Sequence, residues 1–551
     1  MAEKKIRNRS FIIYTLLAIL LVTGLFIWRN YKYKLVNKKL DNLVTGKSKG
    51  LYQLSYQHLV IDEALGNISA EEVELVPDSE VYQSLLIQNK APQTLIYFHI
   101  PSLSVTGVKT PKALLNKEIS AHIIRIQDAK IEMRTGSGEH KSQSGFKSML
   151  ASEQYRQLLG KLKSIHADSV ILENASLILR ENKSKNITFQ VTGLSIRFAG
   201  LAIDSVNQHD SSRLLFTNDQ AIHFNQLILP QKNKEAELRV SCLDYNSQTG
   251  NLHTEQIQLV PFLSESAFAK AHHFAKDRLN MVIGSLDFIQ INRQALLRQK
   301  IVADSLVLKN ASFHIFRDKS VPHDSVDRTN DFPQQVVMRL SLPVYIGRII
   351  FRDSYIEYKE KNDKSDSSGK LAFYHVQSSL TNVTNIPDSI RRNNQMRLHF
   401  NASFLDKAAF TVDMRMRLND RKGSFQLNAQ LGEISAVALN PLIKPMALAE
   451  LDKGDIHSLQ YHLDATNTQG KGTLIFKYSD LKVKLLKKDD DKNKYKTKLL
   501  PTLAAGVLLK KSNPQNGKTR VGQVDFTRDI HRSIFNFMWK SLFSGIKQVA
   551  L

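Results

Sequence analysis

Residues 303–316 read ADSLVLKNASFHIF, and residues 167–179 read ADSVILENASLIL. They are near copies at an offset of 303 − 167 = 136 residues. Weaker copies lie at 123–133 (IIRIQDAKIEM) and 349–358 (IIFRDSYIEY). Each copy holds two apolar pairs at the strand period of two. The pairs are Ile124/Ile126 and Ile131/Met133, Val170/Leu172 and Leu177/Leu179, Leu306/Leu308 and Phe313/Ile315, and Ile349/Phe351 and Ile356/Tyr358. Between the pairs the alternation slips by one residue at a polar step. In an unbroken strand that slip would turn the second pair to the opposite face. A bulge at the step returns both pairs to one side. The pattern therefore predicts four strands that kink at Asp128, Asn174, Asn310 and Asp353 and each keep one apolar face.

A longer repeat surrounds these strands. Ser102-Leu103 matches Ser285-Leu286, Ala113-Leu114-Leu115 matches Ala295-Leu296-Leu297, and Ile119 and Ala129 match Ile301 and Ala311. Each unit reads as strand, short helical turn and kinked strand, the signature of stacked units that share a core. Residues 397–431 alternate as an antiparallel meander with a turn at 420–423. Helical spacing is confined to Phe146–Ile165, Glu265–Leu279 and the C-terminus, few helices for so much sheet with one apolar face.

The first apolar run is of another kind. Phe11 to Trp28 carries no charge and is preceded by Lys4, Lys5, Arg7 and Arg9. Eighteen residues at 1.5 Å each reach ~27 Å, enough for a bilayer core. No small-x-small cleavage site follows, so the segment reads as an uncleaved anchor, with Phe11, Leu16, Leu20, Phe26 and Trp28 facing lipid. At the other end, Ile530, Ile534, Met538, Leu542 and Ile546 recur every four residues, with Phe535, Trp539 and Phe543 beside them. This is an amphipathic helix over 527–551, expected either to cap the sheet or to lie on a membrane.

The chain has 551 residues, 42% of them hydrophobic and 23% charged, which excludes a disordered protein. A net charge of +24 points to an anionic partner, a membrane surface or nucleic acid. The single cysteine, Cys242, allows no intramolecular disulfide and no cysteine-based zinc site. No Walker loop, GxGxxG, HExxH or GxSxG occurs. The expectation is no enzyme, no catalytic residues, no metal and no cofactor. His272-His273 and Asp489-Asp490-Asp491 read as solvated.

The C-terminal half resembles the AsmA-like family of Gram-negative envelope proteins. The carrying stretches are the kinked repeats, SGKLAFYHVQSSLTNVTN (368–385), ALNPLIKPMALAELDKGDIHSLQYHLDATNTQGKGTLIFKYSDLKVKLL (438–486) and FNFMWKSLFSGIK (535–547). The family is similar in architecture to the chorein-type bridge proteins. The resemblance implies a mainly β fold: an N-terminal transmembrane helix, then an elongated, curved, groove-like antiparallel sheet with few helices. At ~4.8 Å per strand, roughly 20 to 25 strands would give about 100 to 120 Å of groove. It also implies an inner-membrane anchor, a periplasmic body and phospholipid as partner, with an outer-membrane or envelope protein partner left open and no nucleic acid. The expected divisions are 1–35 (tip and anchor), 36–335 (repeat-built groove), 336–526 (C-terminal β module) and 527–551 (terminal helix). The expected lipid-facing residues are Ile124, Ile126, Ile131, Met133, Leu172, Leu177, Leu308, Phe313, Phe351 and Ile356, on one continuous concave face. The competing expectation is a scaffold with a dry β core and no cargo.

Overall fold

A computed structural model describes residue 48 and residues 50–551 apart from 110–117, 136–162, 490–493, 498–509 and short breaks at 63, 93, 182–183, 208–209, 211, 214, 232–234 and 363–366. The expected anchor, the Ala113–Leu115 turn and nearly all of the helix expected at Phe146–Ile165 lie outside the described residues. The protein is mainly β. It divides into two compact units, Met1–Glu255 with Asn292–Gln299, and Gln256–Ile291 with Lys300–Leu551. The division expected at 335/336 falls inside the second.

Unit 1 contains β1 (Tyr52–Asp62), β2 (Asn67–Pro77), β3 (Thr94–Thr106), β4 (Glu118–Gln127), β5 (Lys130–Thr135), β6 (Ser164–Glu181), β7 (Ile187–Ile203), β8 (Asp219–Pro230) and β9 (Ala236–Asn246). β4 and β5 are the two halves of one kinked strand. Neighbours pair in chain order and antiparallel, except that β4 and β5 run parallel to β6. β10 (Asn251–Pro261) carries the chain across the division.

Unit 2 contains β11 (Arg278–Ile289), β12 (Ile301–Asp318), β13 (Val344–Lys361), β14 (Ser368–Thr384), β15 (Gln395–Phe404), β16 (Ala408–Arg417), β17 (Phe425–Leu431), the two-residue β18 (Ile434–Ser435), β19 (Ala449–Ala465), β20 (Gln469–Asp489), β21 (Lys494–Thr497) and β22 (Val521–Thr527). Its main ladder runs β11 to β17, then β19, β20 and β22, antiparallel except for β12 beside β13. Each unit thus has one parallel pair, and in each it joins two kinked strands. The equivalent positions are those of the longer repeat: β3 with β11, β4 and β5 with β12, β6 with β13. The near copy that opens the reading, 167–179 with 303–316, relates the second kinked strand of one unit to the first of the other.

All four expected kinks are present. Asp128, Asn174, Asn310 and Asp353 adopt φ of 52°, 52°, 52° and 45°, the left-handed region inside a strand. Asn and Asp tolerate that region because their short side chains bond locally. The kinks lie side by side in register. Gln127 pairs with Glu173 and Lys130 with Ser176, so Asp128 sits beside Asn174. Lys309 pairs with Arg352 and Ser312 with Tyr355, so Asn310 sits beside Asp353. Asn174 Nδ2 donates to Asp128 Oδ1 at 2.7 Å, and the Ser176 N–H to the Ala129 carbonyl at 2.8 Å. Because both partners carry the extra residue, the parallel ladder resumes after the kink. The next residue is small and buried each time: Ala129, Ala175, Ala311 and Ser354.

A second slip was present in the sequence but unread. Ile119 and Ala121 are buried, and then Ile124 and Ile126; Ile165 and Ala167 are buried, and then Val170 and Leu172. The steps fall at His122 and Asp168, which ion-pair at 2.6 Å.

The helix expected over Glu265–Leu279 is shorter: one turn, Glu265–Lys270, after which β11 begins at Arg278. The terminal helix spans Ile534–Ala550, with the Ser533 side chain accepting from the Asn536 N–H, while Thr527 still belongs to β22. Six turns shrink to fewer than five, and Ile530 lies before the helix.

Asn310 makes the kink testable, because it needs left-handed backbone and its side chain faces solvent. Asn310→Gly should leave stability within about 0.5 kcal/mol, whereas Asn310→Val should cost about 1–2 kcal/mol, since a β-branched residue is strained there. The urea midpoint at unchanged slope is the measurement.

Candidate functional site

The strand grammar builds an apolar face in each unit, and the two faces differ in closure. In unit 1, Ile124, Ile126, Ile131, Met133, Leu172 and Leu177 all join one buried cluster, none more than 5% exposed. In unit 2, register aligns Met281, Phe313, Ile356 and Phe373 in one row across β11 to β14. It aligns Leu286, Leu308 and Phe351 in a second, and Phe288, Leu306, Ile349 and Leu380 in a third. Apart from the buried Leu308, these side chains are partly buried and none is fully exposed. Leu308 (7%), Ile283 and Ala311 are the buried floor, with Phe313 and Phe351 packed against them. Phe313 and Phe351 meet edge-on at 6.3 Å. The face continues through an aromatic group in which Phe373 lies 5.5 Å from Phe400 and 5.2 Å from Phe410.

The ten expected lipid-facing residues therefore fall into three settings. Six belong to the closed face of unit 1. Leu308, Phe313 and Phe351 form a small cluster in unit 2, and Ile356 lies half-buried in the adjoining row. Phe373, Phe400 and Phe410, which extend that face, were not among the ten; Phe400 and Phe410 lie in the meander.

Beyond β13 the face of unit 2 is progressively covered. The helix Asn440–Ala447 packs on β14 and β19 so closely that a Cβ on Gly369 would lie 2.5 Å from Met446 Cγ. The terminal helix packs on β20 and β22, where a Cβ on Gly522 would lie 2.5 Å from the Gly545 carbonyl oxygen. Tyr461 and Ser541 hydroxyls hydrogen-bond at 2.7 Å beneath it. Phe537, Ser541, Gly545 and Val549 form its buried stripe. Phe535, Trp539 and Phe543 face solvent at 73%, 41% and 43%, and Trp539 stacks on Phe543. The helix is thus a cap with an aromatic outer face, and Lys547 lies 5.0 Å from the Phe543 ring centre. Its N-terminal end is pinned by Arg528, which lies over Phe332 at 4.4 Å and donates to the carbonyls of Asn467, Arg328 and Arg532.

The opposite face of β12 to β14 carries a polar network. Glu357 accepts from Lys370 Nζ and Tyr355 Oη, both at 2.6 Å, and faces His314 Nδ1 at 3.4 Å. Burial alone would raise the Glu357 pKa, but the hydrogen bonds from Lys370, Tyr355 and His314 prevail and lower it to about 2. Ser312 Oγ lies 3.0 Å from His314 Nε2, so the order serine, histidine, carboxylate is present. The carboxylate is already occupied by Lys370 and Tyr355. The group ties three strands together.

Among the described residues no helix is long and apolar enough to cross a membrane. No protein-family model matches the chain, and no curated protein matches it.

Two outcomes follow from this geometry. Because the folded pKa of Glu357 lies below its ordinary value of 4.5, its contribution is complete above pH 4.5 and is lost as pH falls towards about 2. Glu357→Gln should therefore destabilise at neutral pH and flatten the acid limb of an unfolding series across that window. On the terminal helix, Gly545→Val should cost about 1–3 kcal/mol by overpacking against Leu474 and Val524. Trp539→Ser with Phe543→Ser should barely move the same urea midpoint.

Proposed function

We propose that this chain is a membrane-anchored envelope protein that binds or conducts lipid acyl chains along an apolar β face. In this reading it supports phospholipid transport and outer-membrane homeostasis. One observation carries it: the apolar rows of β11 to β13, with Phe313, Phe351, Ile349 and Ile356 partly exposed on one face of unit 2. Fully burying a large apolar side chain is worth about 1.5–3 kcal/mol, so the exposed fraction left on each of these residues is worth under about 1 kcal/mol, and acyl chains would supply the missing contacts. The apolar run 11–28 would hold the protein in the inner membrane of a Gram-negative bacterium, with the body in the periplasm. The net charge of +24 favours anionic head groups, and the exposed Phe535, Trp539 and Phe543 give the terminal helix an interfacial belt. The AsmA-like resemblance fits the same reading.

A second reading, a scaffold without cargo, is favoured by the closed face of unit 1. The two are separated by pairing variants across the units. Ile124→Asp places a charge in a sealed core and should unfold unit 1, at a cost of several kcal/mol. Phe351→Asp should cost far less and yet abolish lipid binding. A photoreactive residue at Phe313 or Phe351 should capture phospholipid in cells, and one at Ile124 should not. A Phe351→Asp protein that unfolds as readily as Ile124→Asp, with no lipid captured at Phe313, would establish the dry scaffold.

A further inference from the structure

The polar face of unit 1 is laced with cross-strand histidine–carboxylate pairs, and one of them has a third member. His223 on β8 is the direct partner of Asp244 on β9, with Nδ1 2.8 Å from Oδ1. Cys242, two residues before Asp244, places Sγ 3.7 Å from Asp244 Oδ2. One ligand atom from each of the three lies within 4.8 Å of the other two. The kink line explains how. Val240 and Leu238 pair with Leu227 and Leu229, whereas Leu243 pairs with Phe224, so the alternation slips at Cys242, which takes φ of 49°. The slip brings the thiol to the side of His223 and Asp244.

Against the expectation of no metal and no cysteine-based zinc site, which considered cysteines alone, we propose that His223, Cys242 and Asp244 form a binding site for a zinc-class divalent cation. The donor set decides the class: thiolate and imidazole suit zinc, whereas magnesium and calcium take oxygen. Zinc bonds of about 2.0–2.3 Å place tetrahedral ligands roughly 3.3–3.8 Å apart. The sulfur–carboxylate separation of 3.7 Å already matches, the histidine–carboxylate pair must open by about 0.5 Å, and sulfur and imidazole, which lie within 4.8 Å of each other, must draw up to the same range. Asn225 Oδ1 lies 3.0 Å from His223 Nε2 and orients the ring, as outer partners of metal-bound histidines do. His223 and Asp244, though not Cys242, also line a cavity of about 700 Å³ with Arg197 and Asn246, so two of the three ligands are reached from an open space. The comparable group Glu72, Glu74 and His99 has no sulfur, and among the described residues the pairs at His122/Asp168 and His399/Asp413 have no third ligand of this kind. Thiolate and neutral imidazole are the ligating forms, so loading the site releases protons and weakens as pH falls.

Cobalt(II) is the probe, added to the full chain purified in mild detergent without a histidine tag. The expected result is one equivalent bound, with tetrahedral d–d bands and a thiolate-to-cobalt charge-transfer band, both displaced by zinc. Cys242→Ser should abolish the charge-transfer band while leaving the circular dichroism and urea midpoint unchanged. His223→Ala and Asp244→Asn should each weaken binding about tenfold or more, and His399→Ala should have no effect. Absence of the charge-transfer band at excess cobalt overturns the proposal. So does a Cys242→Ser protein that binds as tightly as the parent.

Discussion

The fold depends on a left-handed residue inside a strand, placed beside another in the next strand. A single bulge would break its ladder and leave backbone groups unpaired, a cost that sheets avoid. Two bulges in register cancel each other: the extra residue on β5's side of Asp128 is matched by that on β6, and the hydrogen bonds resume at Ser176. This is the reason the two strands of each such pair share nearly one sequence grammar. The parallel direction contributes too, because only parallel neighbours meet their polar steps in the same order. The antiparallel partners answer in two ways: Gly284 stands opposite Asn310, whereas Gly193 and His375 are themselves left-handed, at φ of 64° and 51°. A Cβ on Gly193 would lie 2.2 Å from Asn225 Nδ2, and one on Gly284 3.0 Å from Asn310 Cβ.

What the kink secures is the side on which apolar residues appear. Once every strand keeps one greasy face, the remaining question is what lies against it, since exposed apolar area costs roughly 25 cal/mol per Å². Unit 2 answers in part with helices set on glycines. Gly369, Gly522 and Gly545 let Asn440–Ala447 and the terminal helix approach the strands at distances that a methyl group would prevent. Arg528, buried with carbonyl partners and an aromatic ring, fixes the start of the terminal helix. Its charge is balanced at a distance by Asp331, Asp327 and Asp529, although burial still lowers its pKa.

The kinks were legible because their signal is local: a phase slip, an Asn or Asp, and a small residue, all within one strand. The second slip at His122 and Asp168 was equally local, as Ile119/Ala121 against Ile124/Ile126 shows, but it carries no Asn-Ala or Asp-Ala step to draw the eye. The short helix at Glu265–Lys270 was overread, because His272 to Leu279 continues the apolar spacing while the chain turns into β11. On the terminal helix Ile534, Met538, Leu542 and Ile546 of the expected stripe do pack against the core, but they are not its deepest positions. Its closest packing uses Ser541 and Gly545, which a hydrophobic pattern passes over, and the large residues it counted instead flank that contact or face solvent. The third member of the His223 group was invisible for a different reason: β8 and β9 meet only through register.

Closure of the face was the least legible feature, and the repeat shows why. Ile131 and Met133 correspond to Phe313 and Ile315 at the longer repeat offset, and Leu177 corresponds to Ile356. The first member of each correspondence is sealed in unit 1, and the second is only partly buried in unit 2. Residues of the same character in the same strand grammar thus end in a dry core in one unit and on an accessible face in the other. Nothing within a strand separates these outcomes, because burial is decided by the segments that fold over the sheet. A strand that kinks in this way is therefore a device for presenting an apolar surface, neutral between scaffold and conduit. The functional distinction resides in coverage, which makes Phe351 and Ile124, rather than any single strand, the informative comparison.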